Sequence, residues 1–254
     1  MPIITLDPSH WQTDSDALRR EWLVTNGLGG WASGTVGGAN TRRYHGTLVA
    51  ALHPPVARTV LVSKLDEWAT VNGTRYGLSS NEFASGTIDP RGWQYLEKFE
   101  LADGLPHWHY QLGNAHLEKI VFMAHGHNAT WTVYTYHSGD GPLALEITPL
   151  LNHRDYHDET AAGDWQARFI PVEGGTAVSL FSGAHPVWLI HKGGAFTPDP
   201  VWIRGVRHRI ETGRGLPDEE DVFRIGAINA TLQPGGTFAV MASAEIPTAA
   251  ARSW

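Results

Sequence analysis

The sequence predicts an all-β protein, a large antiparallel two-sheet β-sandwich with few short helices. Three observations carry this: apolar residues recur with a period of two, Gly, Pro and Asn clusters interrupt that pattern, and helix-period segments are scarce. The one helical candidate near the start is Ser15–Trp22, with Asp14 or Ser15 placed to cap it by accepting a first-turn N–H. Strands are expected over Tyr44–Leu52, Arg58–Val71 and Thr74–Leu78. Between the last two, Asn72-Gly73 supplies the two positive φ angles that a type I′ hairpin requires. Gln94–Leu101 and His116–Ala124 flank the segment 107–113, HWHYQLG, where alternation puts Trp108, Tyr110 and Leu112 on one face. In 131–137, WTVYTYH, the same period sets Trp131, Val133 and Thr135 against Thr132, Tyr134 and Tyr136. Leu143–Leu150, Trp165–Val172, Thr176–Phe181, Pro186–His191 and Thr237–Ala244 complete the set, with Gly174-Gly175 as a second hairpin. The acidic stretch at 216–223, LPDEEDVF, reads as a solvated turn with a short helix near Asp218–Asp221.

So many strands in one layer would leave long open edges, and twisted sheets of this size pack face to face, so two sheets are expected. A length of 254 suits one large all-β unit, and no linker or fixed-period repeat divides it, so residues 1–254 are expected to form a single domain.

A formal charge of −7 argues against nucleic acid as partner, because phosphate binding needs a net basic face. The absence of cysteine excludes a disulfide framework, a thiolate metal site and a cysteine nucleophile together, and it is compatible with a reducing cytosol. The start, MPIITLDPSHWQTD, has neither a basic n-region nor an apolar h-region, and no 18-residue apolar run occurs. A cytoplasmic protein that engages no membrane is the expectation.

The densest chemistry lies in 21–52, EWLVTNGLGGWASGTVGGANTRRYHGTLVAAL. Its glycines permit tight folding and room for a bulky ligand. They lead into Asn40, Thr41, Arg42, Arg43, Tyr44 and His45, which together offer more hydrogen-bonding groups than a strand end needs. Displayed outward, this hexapeptide suits a polyhydroxylated ligand: Trp31 or Tyr44 can stack on the C–H face of a sugar ring while Asn40, Arg42 and Arg43 hold hydroxyls. The plainer reading is turns and surface ion pairs. Of eleven tryptophans, Trp22, Trp131, Trp165, Trp188 and Trp202 sit in core-like contexts, whereas Trp31, Trp93 and Trp108 have glycine, proline or polar neighbours and are expected nearer the surface.

His107 and His109, and likewise His125 and His127, are H-x-H pairs that would share a face on a strand. No third ligand follows at a telling spacing, so no metal and no other cofactor is expected. Glycoside hydrolysis needs two carboxyl groups about 5–5.5 Å apart for retention or about 6.5–9.5 Å for inversion. Asp66 and Glu67 are adjacent on a strand and face opposite ways; Asp155, Asp158, Glu159 and Glu211 remain conceivable. Phosphate-loop and nucleophile-elbow motifs are absent, and GLGGWASG lacks the β-α-β context of a dinucleotide site.

The run TNGLGGWASGTVGGANTRRYHGTLVA resembles the N-terminal domain of bacterial and archaeal glycogen debranching enzymes of the amylo-α-1,6-glucosidase type. The likeness continues through LVSKLDE (61–67), LEKFEL (96–101), LEKIVFMAHGHN (117–128), PLLNHRDYH (149–157) and ETGRGLPDEEDVF (211–223), so it covers nearly the whole chain. The resemblance implies a β-sandwich that precedes an (α/α)6 barrel carrying both catalytic acids against α-1,6 branch points. With no barrel before Trp254, it implies a non-catalytic accessory domain whose partners are an α-glucan, glycogen or branched maltodextrin, and the catalytic domain of the same protein. Two rival readings stay open: a structural scaffold that never touches sugar, and a self-sufficient glycosidase.

Overall fold

A computed structural model describes residues 4–247. In chain order the described elements are β1 (Ile4–Leu6), α1 (Asp14–Ala17), β2 (Glu21–Thr25), β3 (Trp31–Thr35), β4 (Gly46–His53), β5 (Val56–Val71), β6 (Thr74–Gly77), β7 (Ser80–Glu82), β8 (Ile88–Arg91), β9 (Leu96–Ala102), β10 (Leu105–Leu112), β11 (Ala115–Met123), β12 (Ala129–Ser138), β13 (Leu143–Asp155), β14 (Arg168–Val172), β15 (Gly175–Ser179), β16 (Val187–Ile190), β17 (Ala195–Arg207), α2 (Arg209–Gly213), β18 (Glu219–Leu232) and β19 (Thr237–Ser243). One sheet runs β1-β9-β10-β11-β12-β19-β16-β15-β14; the other runs β17-β18-β13-β5-β4-β3-β2, with β6 beside β5. Neighbouring strands pair antiparallel throughout, so the fold is the expected all-β sandwich. Among the described residues no helix is long and apolar enough to cross a membrane.

Period-two alternation builds the core between the sheets. Trp108, Leu112, Leu117 and Tyr134 from the first sheet meet Leu48, Leu61, Leu145 and Ile147 from the second, all essentially sealed from solvent. Each such side chain contributes about 1.5–3 kcal/mol on burial. Trp22 of β2 and Trp108 of β10 touch edge to face across the gap, with centroids 5.2 Å apart. A charged pair also sits there. Lys119 Nζ of β11 lies 3.0 Å from Glu67 Oε1 of β5, and the Tyr134 hydroxyl donates to the same oxygen at 3.0 Å. Burial alone would lower the Lys119 pKa, but Glu67 beside it raises it above its ordinary value.

The structure revises several expectations. Trp108 is 2% exposed, not superficial: its indole N–H donates to the Val36 carbonyl at 2.9 Å. Alternation, which groups it with Tyr110 and Leu112, outweighs the polarity of its neighbours. The first helix is only Asp14–Ala17, capped by Thr13, whose hydroxyl accepts from the Asp16 N–H; Trp22 belongs to a strand. The Asn72-Gly73 turn forms with φ of 50° and 79°. The second hairpin turns one residue early, at Glu173-Gly174, with Val172 facing Gly175. The stretch read as a solvated acidic turn instead opens β18, and Glu220 within it is buried; the helix nearby is Arg209–Gly213.

Candidate functional site

In the segment that runs from β2 through β3 to β4, the glycines do not leave room for a ligand. A Cβ on Gly30 would stand 2.7 Å from Asn26 Nδ2 and 2.9 Å from the Val49 carbonyl oxygen. On Gly37 it would stand 2.8 Å from the Ala17 carbonyl oxygen. The space is filled by the protein's own backbone and amides.

The hexapeptide is likewise not displayed as expected. Asn40, Thr41, Arg43 and His45 are buried; Arg42 and Tyr44 are half-buried. Asn40 donates to the Ser63 carbonyl at 2.9 Å. The Thr41 N–H donates to His45 Nδ1 at 3.1 Å, and the Thr41 carbonyl accepts from Ile210 N at 3.0 Å. Arg43 donates to the His157 carbonyl, lies 3.0 Å from Glu159 and 3.8 Å from Glu211, and its own N–H donates to Glu211 at 3.3 Å. A buried guanidinium needs such partners, because an unpaired charge away from water is very costly.

Below this layer sits a second ionic centre that sequence reasoning missed. Arg154 of β13 grips Glu220 of β18 through Nε at 2.6 Å and Nη2 at 2.9 Å, and its Nη2 also donates to the Arg43 carbonyl at 3.0 Å. His208 Nε2 is 2.9 Å from Glu220, and Asn152 donates to it at 3.1 Å. Burial by itself would raise the Glu220 pKa, but Arg154 and His208 overcome it and hold the carboxyl at about 2. His45 is also shifted down, which for an imidazole favours the neutral form: burial, then the nearby His208 and Arg42, lower its pKa to about 3. Neutral His45 accepts at Nδ1, so its proton resides on Nε2. The signal for Glu220 was present in Glu220-Asp221-Val222 as the start of a long apolar run, masked by the adjacent acids.

What remains accessible is an aromatic patch. Trp31 and Tyr156 meet edge to face at 5.3 Å, Tyr44 lies 5.7 Å from Tyr156, and His157 lies 3.8 Å from Tyr156. The Trp31 indole N–H donates to the Tyr44 carbonyl at 2.9 Å, which ties its ring to the hexapeptide. Guanidinium groups edge the patch: Arg58 stands 5.8 Å from the Trp31 centroid and 5.7 Å from that of Tyr156, and Arg214 stands 5.5 Å from Tyr44 while donating to its hydroxyl at 3.1 Å. Arg42 reaches Glu21 at 2.7 Å on the rim. The structure thus gathers Trp31 and Tyr44 with Tyr156, His157, Arg58 and Arg214, none of which the loop alone could indicate.

The carboxylates divide by role. Asp66 pairs with Lys64 at 2.9 Å on one face of β5, whereas Glu67 points into the core, as adjacency on a strand requires. Glu211 is buried between Arg43 and Arg214. Of the two H-x-H pairs, His107 and His109 share the outer face of β10; His125 and His127 instead lie in the turn after β11, where His127 is 2.9 Å from Glu245.

Among curated proteins none matches the chain. The family described as glycogen debranching enzyme N terminal matches residues 20–239, a span that holds the hexapeptide, the aromatic patch and both ionic centres. On that match the chain belongs to the family of glycogen debranching enzyme N-terminal domains.

Proposed function

We propose that this domain is an accessory part of a glycogen debranching enzyme, helping an α-glucan meet a catalytic (α/α)6 barrel of the same protein. The observation that carries the reading is the half-exposed cluster of Trp31, Tyr44 and Tyr156 edged by Arg58 and Arg214. Aromatic faces take the apolar C–H surfaces of a pyranose, and guanidinium forks donate to its hydroxyls. Ligand sites form preferentially where domains meet, so the patch suits the rim of a substrate site completed by the barrel. The substrate-contacting set narrows from the hexapeptide to Trp31, Arg42 and Tyr44, joined by Tyr156 and Arg214. Residues 1–254 act here as one unit, in a cytoplasmic setting.

The scaffold reading has a specific observation in its favour for the other four residues. Asn40, Thr41, Arg43 and His45 are buried and bonded to neighbouring segments, so their role is to hold the patch in place. Titration of maltooligosaccharides against tryptophan fluorescence separates the two. Saturable quenching that weakens severalfold in Trp31→Ala and Tyr156→Ala, in line with about 1 kcal/mol for a lost ring contact, is expected. A flat titration up to millimolar ligand, together with unchanged KM for branched dextrin when the same substitutions are made in the whole enzyme, would leave only the scaffold.

A further inference from the structure

On the opposite side of the molecule, the outer face of the first sheet carries a row of four imidazoles. His107 and His109 of β10 stack with centroids 6.4 Å apart, His109 stacks on His116 of β11 at 5.6 Å, and His116 stacks on His137 of β12 at 5.1 Å. Register explains the row. His109 faces Glu118 across the β10–β11 pair, and Gln111 faces His116, so all project to one side. Glu118 lies among them: its Oε1 is 2.8 Å from His107 Nδ1 and 3.9 Å from His109 Nε2, and its Oε2 is 2.7 Å from His137 Nε2.

His109 is 8% exposed, yet neither ring nitrogen makes a hydrogen bond; Nε2 approaches Glu100 at 3.3 Å without the geometry of one. Leaving a buried polar group unpaired costs about 1–3 kcal/mol, so such an atom points to an absent partner. One donor atom from each of His107, His109 and Glu118 lies within 4.8 Å of the others. Metal bonds of about 2.0–2.1 Å in a tetrahedral site set ligand atoms roughly 3.3 Å apart. The 2.8 and 3.9 Å separations bracket that edge, so a small spreading of His107 from Glu118 would admit an ion.

We infer that His107, His109 and Glu118 form a binding site for a divalent transition metal of the zinc, cobalt or nickel class. Two imidazoles and one carboxylate are the donors these borderline ions prefer, and three protein ligands leave a fourth position for water. His137, on the far oxygen of Glu118, orients that carboxylate in the manner of an outer ligand partner. Glu100 adds negative charge beside His109, partly offset by Lys98, which lies 3.1 Å from it. Spacing along the chain offers only the H-x-H pair; the third ligand comes from the adjacent strand.

Tag-free protein stripped by chelator and titrated calorimetrically with Zn2+ is expected to bind one ion per chain. Glu118→Gln and His107→Gln should each weaken binding more than tenfold, and His137→Gln by about 10- to 100-fold as an outer partner. The double substitution His125→Gln, His127→Gln should leave affinity unchanged. Absence of saturable binding, indifference to Glu118→Gln and His107→Gln in folded protein, or loss in the His125/His127 variant would each overturn the assignment. Should Glu118→Gln or His107→Gln fail to fold, Co2+ added to the unaltered protein decides: X-ray absorption giving two imidazole nitrogens in a four-coordinate shell supports the site, and a six-coordinate, water-only shell refutes it.

Discussion

Arg42 and Arg43 are neighbours with opposite fates, and the difference is one of solvent. Arg42 meets Glu21 at the surface, where an ion pair contributes about 0–1 kcal/mol. Arg43 is sealed against Glu159, Glu211 and the His157 carbonyl. Removing its guanidinium leaves the buried Glu211 with Arg214 as its remaining charged partner, which is expected to cost about 3–5 kcal/mol. Urea unfolding of Arg42→Ala and Arg43→Ala checks the contrast; comparable small losses in both would show that Arg43 is not held as described. His45 and Glu220 add a pH dependence. Each has a folded pKa below its ordinary value, about 3 against 6.5 and about 2 against 4.5. In these windows the unfolded chain binds more protons than the folded one, so stability rises with pH there. Stability is therefore expected to fall as pH drops below about 6.5, first through His45 and then, below about 4.5, through Glu220 as well. His45→Gln should flatten the upper part of that fall, read as the unfolding midpoint at successive pH values, and an unaltered slope would remove His45 as its source.

The strands differ in how openly the sequence declares them. Leu105–Leu112 and Ala129–Ser138 alternate cleanly, and Asn72-Gly73 announces its turn by chemistry that few other pairs satisfy. β2 was hidden because its first residues read as the end of a helix over Ser15–Trp22, and β3 because the glycines within and before it carry no side-chain pattern to read. β18 was hidden because a run of acids suggests solvent, and only the far-off Arg154 and His208 make a buried Glu220 tolerable. Gly30 shows what the glycine segment is for: it lets β3 approach Asn26, Asn128 and β4 closely. Gly30→Ala is expected to destabilise by about 1–3 kcal/mol, the usual penalty of overpacking, measured as a lowered unfolding midpoint. An unchanged midpoint would mean that the neighbouring amides yield freely.

For the whole molecule, sandwich and family were legible from alternation and from the NTRRYHG block with its companion segments, and the family match agrees. The site was legible only in part. Which side of the hexapeptide faces water depends on residues 154, 157, 208, 211 and 220, brought together by folding and invisible to any local window. The same reasoning applies to Glu118, which joins the histidine pair only through strand register. Long-range closure of this kind also has a consequence in time. Glu211 lies 168 positions after Arg43. At about 5–20 residues per second, a ribosome needs roughly ten to thirty seconds to supply it. During that interval the emerging polypeptide holds a naked guanidinium and an unseated loop, so the patch is among the last surfaces to mature. A translational stall anywhere between the two leaves it unbuilt.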